Sequence, residues 1–258
     1  TPMRYAWDQF DAYFGPDRVG PRASQLFRLG LSAMARWDSS TAGRVHRYVA
    51  ISQYVAGRIR RYYNRVASVV HPPVDTTFFH PSGRPSDGYA LIVSALVPYK
   101  RVDLAMRACA RARVPLRIVG TGPDDARLRA AAEPEVEFLG ALSDTEVRAA
   151  YQGAAVVLLP GVEDFGIAPV EGQACGRPVV ALREGGASET VIDGETGVLV
   201  PEATDEAFAD AVRQVVDGAF DSDAIRHHAL RFSRSRFQAE LQGHVTELLA
   251  SPTERVAS

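Results

Sequence analysis

The chain has 258 residues, of which 46% are hydrophobic, 23% charged and 9% aromatic, with a formal net charge of −2. That length builds one large or two modest domains, and the near-neutral charge excludes a global basic field for nucleic acid. Apolar runs such as ALIVSALV and AAVVLLP are strand-sized, far short of the ~20 residues of a membrane span, and the opening TPMRYAWDQF lacks the pattern of a secretory signal.

In chain order, residues 1–80 offer helical patches (ASQLFRLGLSAMARWD, 23–38), a strand over 46–52, a helix over 53–64 and a second strand over 67–71. These elements are too few to close a core. The basic run RIRRYYNR (58–65) reads as a solvated helix face, with contact to an acceptor or a membrane surface as the alternative. The Pro-, Gly- and Ser-rich stretch 71–88 reads as an interdomain linker. Strands and helices then alternate: strands over 89–96, 116–120, 136–140, 155–160, 177–182 and 197–200, with helical patterns between them and after the last. Short, continuous, β-branched strands in this rhythm predict a doubly wound parallel sheet covered on both faces. Ser143 and Glu146 form a capping-box pattern. In the terminal helix, Phe237, Leu241, Val245 and Leu248 mark a face that must dock on something. Cys109 and Cys175 lie in small-residue helical contexts and read as inert thiols of a reducing compartment.

Ligands of such a sheet bind outside the carboxyl ends of its strands, so the loops there are the places to search. The first, SALVPYKRVD, has no glycine, which argues against a dinucleotide cradle and a nicotinamide-dependent oxidoreductase. It offers Lys100 and Arg101, which either neutralise a diphosphate or form a solvated helix start. The second, VGTGPDD, brings Gly122 close to a ligand or simply starts a helix. The third, LGALSD, presents backbone around Leu142 that can read the edge of a base. The fourth, GVEDFGIAPVEGQACGRPVV, places Glu163 and Glu171 with seven residues between them around a glycine-bearing turn. The free amides of that helix start suit a phosphate or a sugar hydroxyl. Both carboxylates are expected to face one crevice, unless Glu171 only complements the helix dipole and Glu163 is a surface acid. The Gly-Gly pair of REGGASE brings another helix start toward the same crevice. The histidines show no ligand spacing, and no metal cluster or nucleophilic triad is expected.

Taken in order, SALVPYKRVDLA (94–105), RIVGTGP (117–123), VEFLGALSDTEVRAAY (136–151) and EDFGIAPVEGQACGRPVVA (163–181) resemble the retaining family 4 glycosyltransferases. TPMRYAW, RYVAISQYVAGRIRRYY and VHPPVDTTFF extend the likeness over essentially the whole chain, and within the family the pattern looks most like bacterial mannosyltransferases of surface-polysaccharide synthesis. The resemblance implies an α/β protein of the GT-B type. Its complete C-terminal doubly wound parallel sheet domain (81–218) would follow the partial remainder of an N-terminal, acceptor-side Rossmann-like lobe (1–80). C-terminal helices (219–258) would end the chain, the last docking back on the N-terminal lobe. A stretch on the order of a hundred residues would be missing from that lobe.

The implied activity is transfer of a hexose, mannose favoured, from a nucleoside diphosphate sugar to an acceptor hydroxyl with retention. The alternative is a truncated, inactive sugar-nucleotide binding module. Glu171 would hold the ribose hydroxyls and Glu163 the donor sugar. The backbone at Phe165, Gly166 and Ile167 would hold the sugar and distal phosphate, and Lys100 would neutralise the leaving diphosphate. Arg101 would share that work, because Ala95 stands where many members carry an arginine. The implied donor is a GDP- or UDP-sugar, GDP-mannose favoured, with no metal and no further cofactor. The implied acceptor is a glycan or a lipid-linked sugar, and the implied location is the cytoplasm, with peripheral contact at the inner face of the plasma membrane.

Overall fold

The computed structural model describes residues 4–250; residues 1–3, and with them the start of the TPMRYAW motif, and residues 251–258 lie outside the described residues. The first part of the chain runs through α1 (Arg4–Trp7), α2 (Phe10–Phe14), α3 (Pro16–Val19) and the long α4 (Pro21–Thr41). A parallel βαβ unit follows, made of β1 (Tyr48–Ala50), α5 (Gln53–Tyr63) and β2 (Ala67–Val69). Ser52 starts α5 by accepting from the Val55 amide at 3.0 Å, and Val55 and Ile59 pack its inner face under the two strands.

The main sheet uses β3 (Tyr89–Val93), β4 (Leu116–Val119), β5 (Val136–Gly140), β6 (Ala154–Leu159), β7 (Val179–Leu182) and β8 (Gly197–Val200). All neighbours are parallel, in the order β5-β4-β3-β6-β7-β8. The chain winds outward in both directions from the β3/β6 pair, which makes that pair the topological switch point. Between the strands lie α6 (Val102–Ala112), α7 (Asp125–Ala130), α8 (Asp144–Gly153), α9 (Ile167–Ala174), α10 (Ala187–Thr190) and α11 (Asp205–Asp217). Leu104, Leu128 and Phe208 from α6, α7 and α11 fill one face of the sheet; Tyr151, Val170 and Ala174 from α8 and α9 fill the other. β3, β6, β7 and β8 are apolar along their length because both their faces are covered, whereas β4 and β5, toward one edge of the sheet, carry Arg117 and Glu137. The capping box expected of Ser143 and Glu146 is present, and Thr204 caps α11. Both cysteines are buried and free, and burial pushes each thiol up to about 12, so neither is a nucleophile at neutral pH.

Two expectations about the flanks need correction. The linker stretch is packed where it begins: Val74, Thr76 and Phe79 are buried, and Val74 donates to the Phe232 carbonyl at 2.8 Å. The cause is α12 (Ser222–Ala229), whose Arg226 donates to the carbonyls of Thr76, Phe79 and Ala174 at 2.6–2.7 Å. The terminal helix, α13 (Arg234–Ala250), covers only part of its apolar face. Phe237 and Leu241 are half-buried, whereas Val245 and Leu248 stay exposed. Polar contacts hold the helix to the first part of the chain: Glu247 pairs with Arg47 at 3.0 Å and Arg236 donates to the His71 carbonyl at 2.9 Å.

Candidate active site

A cavity of about 300 Å³ opens at the carboxyl ends of β3 and β6, where the switch point leaves a crevice. Its walls come from Ile92–Ser94, Lys100, Val157–Pro160 and the turn from Glu163 to Pro169, with Ile51 and Pro72 contributed by the first part of the chain. A short 3-10 turn over Pro98–Lys100 brings the ammonium of Lys100 back over the sheet, in direct contact with Glu163 Oε1. Gly166 holds the turn before α9 at φ +91°, a conformation an L side chain rarely adopts, and so points the free first-turn amides of α9 toward the cavity. Ile167, at the helix start, leaves its side chain 46% exposed on the cavity wall. A cation, an acid and a helix N-terminus therefore converge on one small space.

Burial pushes the Lys100 ammonium down to about 8, the Arg4 charge acting with it and Asp164 against it. The Glu163 carboxylate touches this ammonium, an opposite charge that favours its protonated form.

Residues that the sequence did not single out fix this turn from behind. The Asp164 carboxylate meets Arg58 at 3.3 Å and Arg4 at 3.5 Å, and its carbonyl accepts from Ser52 Oγ at 2.5 Å. Arg4 also donates to the Val162 carbonyl at 2.9 Å and lies 4.9 Å from the centre of the Tyr99 ring. Glu189 of α10 receives the Gln53 and Tyr54 amides at 2.8 and 3.0 Å, capping α5, and contacts His71 at 3.1 Å. His71 in turn stacks on Phe165. Arg58 corrects the reading of RIRRYYNR as a solvated face: its side chain is 6% exposed. The spacing held the signal, because Arg58 stands three residues after Val55 and one before Ile59, on the buried side of α5.

Of the sequence-predicted site residues, Lys100, Glu163, Phe165, Gly166 and Ile167 come together on the cavity; Arg101, Gly122, Leu142 and Glu171 do not line it. Arg101 takes a left-handed backbone (φ +54°) at the start of α6 and faces a separate groove with Asp8, Asp11 and Tyr99. Gly122 serves close approach of backbone to backbone: a Cβ there would fall 2.3 Å from the Leu96 carbonyl oxygen. Leu142 packs partly buried against the α8/α9 side of the core.

The expectation that both glutamates share one wall is corrected as well. The Glu171 carboxylate accepts from Tyr151 Oη at 3.0 Å, on the flank of α9 that faces α8, and burial pushes it up to about 7. One helical turn separates the cavity rim from that flank, so a single ligand touches both acids only if it is extended. Among the described residues no three His, Cys, Asp or Glu side chains gather as a metal site would need, and no helix is long and apolar enough to cross a membrane.

Comparison with known proteins places this geometry. Residues 75–230 match the family described as Glycosyl transferases group 1, and the chain belongs to that family. It is 33% identical over 231 residues to a D-inositol 3-phosphate glycosyltransferase of Acidothermus cellulolyticus, covering 74% of this chain and 51% of the relative. It is 36% identical over 170 residues to the protein of the same name from Mycobacterium leprae, covering 57% of this chain and 40% of the relative. The chain thus spans about half the length of the curated relatives it matches.

Among solved structures, Anabaena HepE in complex with UDP and glucose superposes with a TM-score of 0.72 at 22% identity, over 83% of this chain and 66% of that one. Sucrose-phosphate synthase from Thermosynechococcus elongatus superposes at 0.73 and 20% identity, over 93% and 66%. Staphylococcus aureus TarM, in a complex that includes UDP, does so at 0.72 and 18%, over 84% and 46%. These likenesses show the fold, a parallel α/β domain of the GT-B glycosyltransferase type.

Proposed function

We propose that the chain carries the donor half of a retaining hexosyltransferase that takes its sugar from a nucleoside diphosphate. The observation that carries this reading is the cavity at the β3/β6 switch point, walled by Lys100, Glu163 and the start of α9. The diphosphate lies against Lys100 and the amides of Gly166–Ala168, where positive charge is fixed before the ligand arrives. The sugar sits under residues 163–167 with its hydroxyls on Glu163. The nucleoside runs along α9 toward α8, placing the ribose hydroxyls on Glu171 and the base near Leu142. Departure of the diphosphate is eased by the Lys100 ammonium, and the leaving phosphate takes the acceptor proton.

A GDP- or UDP-sugar fits this arrangement, with GDP-mannose favoured by the sequence resemblance; the curated relatives' names speak for an inositol phosphate acceptor in their own case. Work at the cytoplasmic side on a glycan or lipid-linked acceptor follows from the same reading. A thermal-shift panel of nucleotide sugars with this chain, paired with transfer assays that read the product's anomeric configuration, tests it. Stabilisation by a sugar nucleotide and an unchanged anomeric configuration support the reading, and inversion contradicts it. Binding without transfer or donor hydrolysis identifies a sugar-nucleotide binding module, an outcome that fits a chain spanning about half of its relatives. No stabilisation by any nucleotide overturns both.

A further inference from the structure

Lys100 is the one lysine among the chain's 29 Lys and Arg residues, and it stands in the wall of the switch-point cavity. An arginine keeps its proton and offers no nucleophile, whereas a lysine amine becomes one once it is neutral. The side chain of Lys100 is 18% exposed, and it faces the cavity opposite the start of α9. The chain thus places its single side-chain amine where a small anion is drawn in.

The groups around that amine are Glu163, which touches it, the Tyr99 ring with its centre 5.3 Å away, and the charges of Arg4 and Asp164. Burial first and then Arg4 push the ammonium from 10.5 to about 8, against the pull of Asp164. About one chain in ten then carries a neutral amine at pH 7, against fewer than about one in a thousand for an ordinary lysine. A less basic amine is also a weaker nucleophile, by about tenfold over this range on the scale known for thiols, so a gain of about tenfold or more remains. The free amides of α9 open on the same space and suit a phosphate. An amine, a carboxylate in contact with it and a phosphate-binding helix start are the parts of an acyl-transfer site.

We propose that Lys100 is a modification site that acyl phosphates acylate, closing the cavity to diphosphates; the closure rests on the donor-site reading. The phosphate of the reagent lies on the amides of Gly166–Ala168, and the neutral Nζ attacks the carbonyl carbon. The N–C bond forms as the C–O bond to phosphorus breaks. Phosphate leaves with the electron pair and takes up the proton that Glu163 removes from the nitrogen. The amide that results carries no charge, so the cation that meets a diphosphate is gone.

Mass spectrometry of the 258-residue chain incubated with acetyl phosphate tests it, with Nα-acetyllysine amide in the same tube as the reference amine. At pH 7, Lys100 should be acetylated about tenfold or more faster than the free amine. Inorganic pyrophosphate should slow the reaction at Lys100 and leave the free amine untouched. The preference for Lys100 should shrink about tenfold with a neutral acetyl ester, which brings no phosphate to the helix start. Peptide mapping should place the adduct on Lys100, and Lys100→Arg should remove it. A rate no greater than that of the free amine, no protection by pyrophosphate, or an equal preference with the neutral ester overturns the proposal. If GDP and UDP fail to stabilise the unmodified chain while pyrophosphate still protects Lys100, the donor-site reading falls and the modification site stands. If they stabilise the acetylated chain as well as the unmodified one, the closure of the cavity is overturned.

Discussion

Lys100 and Glu171 are the two residues whose protons report on the proposed ligand, and they do so in opposite senses. Lys100 is held down to about 8, so the charge that meets a diphosphate is lost as pH rises through that value. Affinity for UDP or GDP should therefore fall above about pH 8, by up to tenfold per pH unit. Lys100→Met should weaken it about tenfold to a hundredfold at pH 7, the loss of one charge-assisted hydrogen bond. Calorimetric titration across pH checks both, and a Lys100→Met variant with wild-type affinity would remove the residue from the site.

Glu171 is pushed up from 4.5 to about 7, so the folded chain keeps a proton that the unfolded chain gives up across that window. Stability should then fall as pH rises from about 4.5 to 7, by on the order of 3 kcal/mol, and Glu171→Gln should abolish that slope in urea unfolding. Ribose hydroxyls donating to the carboxylate favour its charged form, so nucleotide binding near pH 7 should release a proton. Calorimetry in buffers of different ionisation enthalpy reads that release directly. Lys100, Glu163 and the Phe165–Ile167 turn were legible in the sequence because each sits just beyond the end of a strand. Arg4, Arg58 and Asp164 were not, because their meaning lies in partners far along the chain: Arg58 and Asp164 are 106 positions apart, Arg4 and Val162 158 apart.

At the scale of elements, the turn into α9 is the part on which the others depend. Gly166 gives it its direction, and Asp164 ties it to α1 and α5 through Arg4 and Arg58. Arg58 keeps Asp8 when Asp164 is changed, so Asp164→Asn should cost about 3 kcal/mol, the lower end for breaking a buried pair, in urea unfolding. A cost under ~1 kcal/mol would show that the network only decorates the turn. Ser143→Ala, which removes the α8 cap, should cost about 1 kcal/mol by the same measurement, without touching the cavity. Strand and helix positions were readable from apolar runs and caps. The way Glu171 faces α8 was not, since the rotation of α9 is set by the packing of Val170 and Ala174 against the sheet rather than by the spacing of two acids.

At the scale of the molecule, the strand order places the switch point between β3 and β6, and every cavity-lining residue of the main sheet domain comes from those two strands or the segments that follow them. Alternation along the sequence announced the parallel sheet. The burial of Val74, Thr76 and Phe79 beside α12 was hidden, because proline and glycine mark where a chain turns but say nothing of whether an arginine such as Arg226 stands ready to donate to the freed carbonyls. The central claim is that a nucleoside diphosphate occupies the switch-point crevice and runs outward along α9. Amide chemical-shift mapping of this chain during titration with GDP and with UDP tests it most directly. The account predicts shifts confined to residues around 100, 163–168 and the α8/α9 flank at 142–144 and 171; shifts clustered at the amino ends of the strands, or on the β1–β2 unit alone, would contradict it.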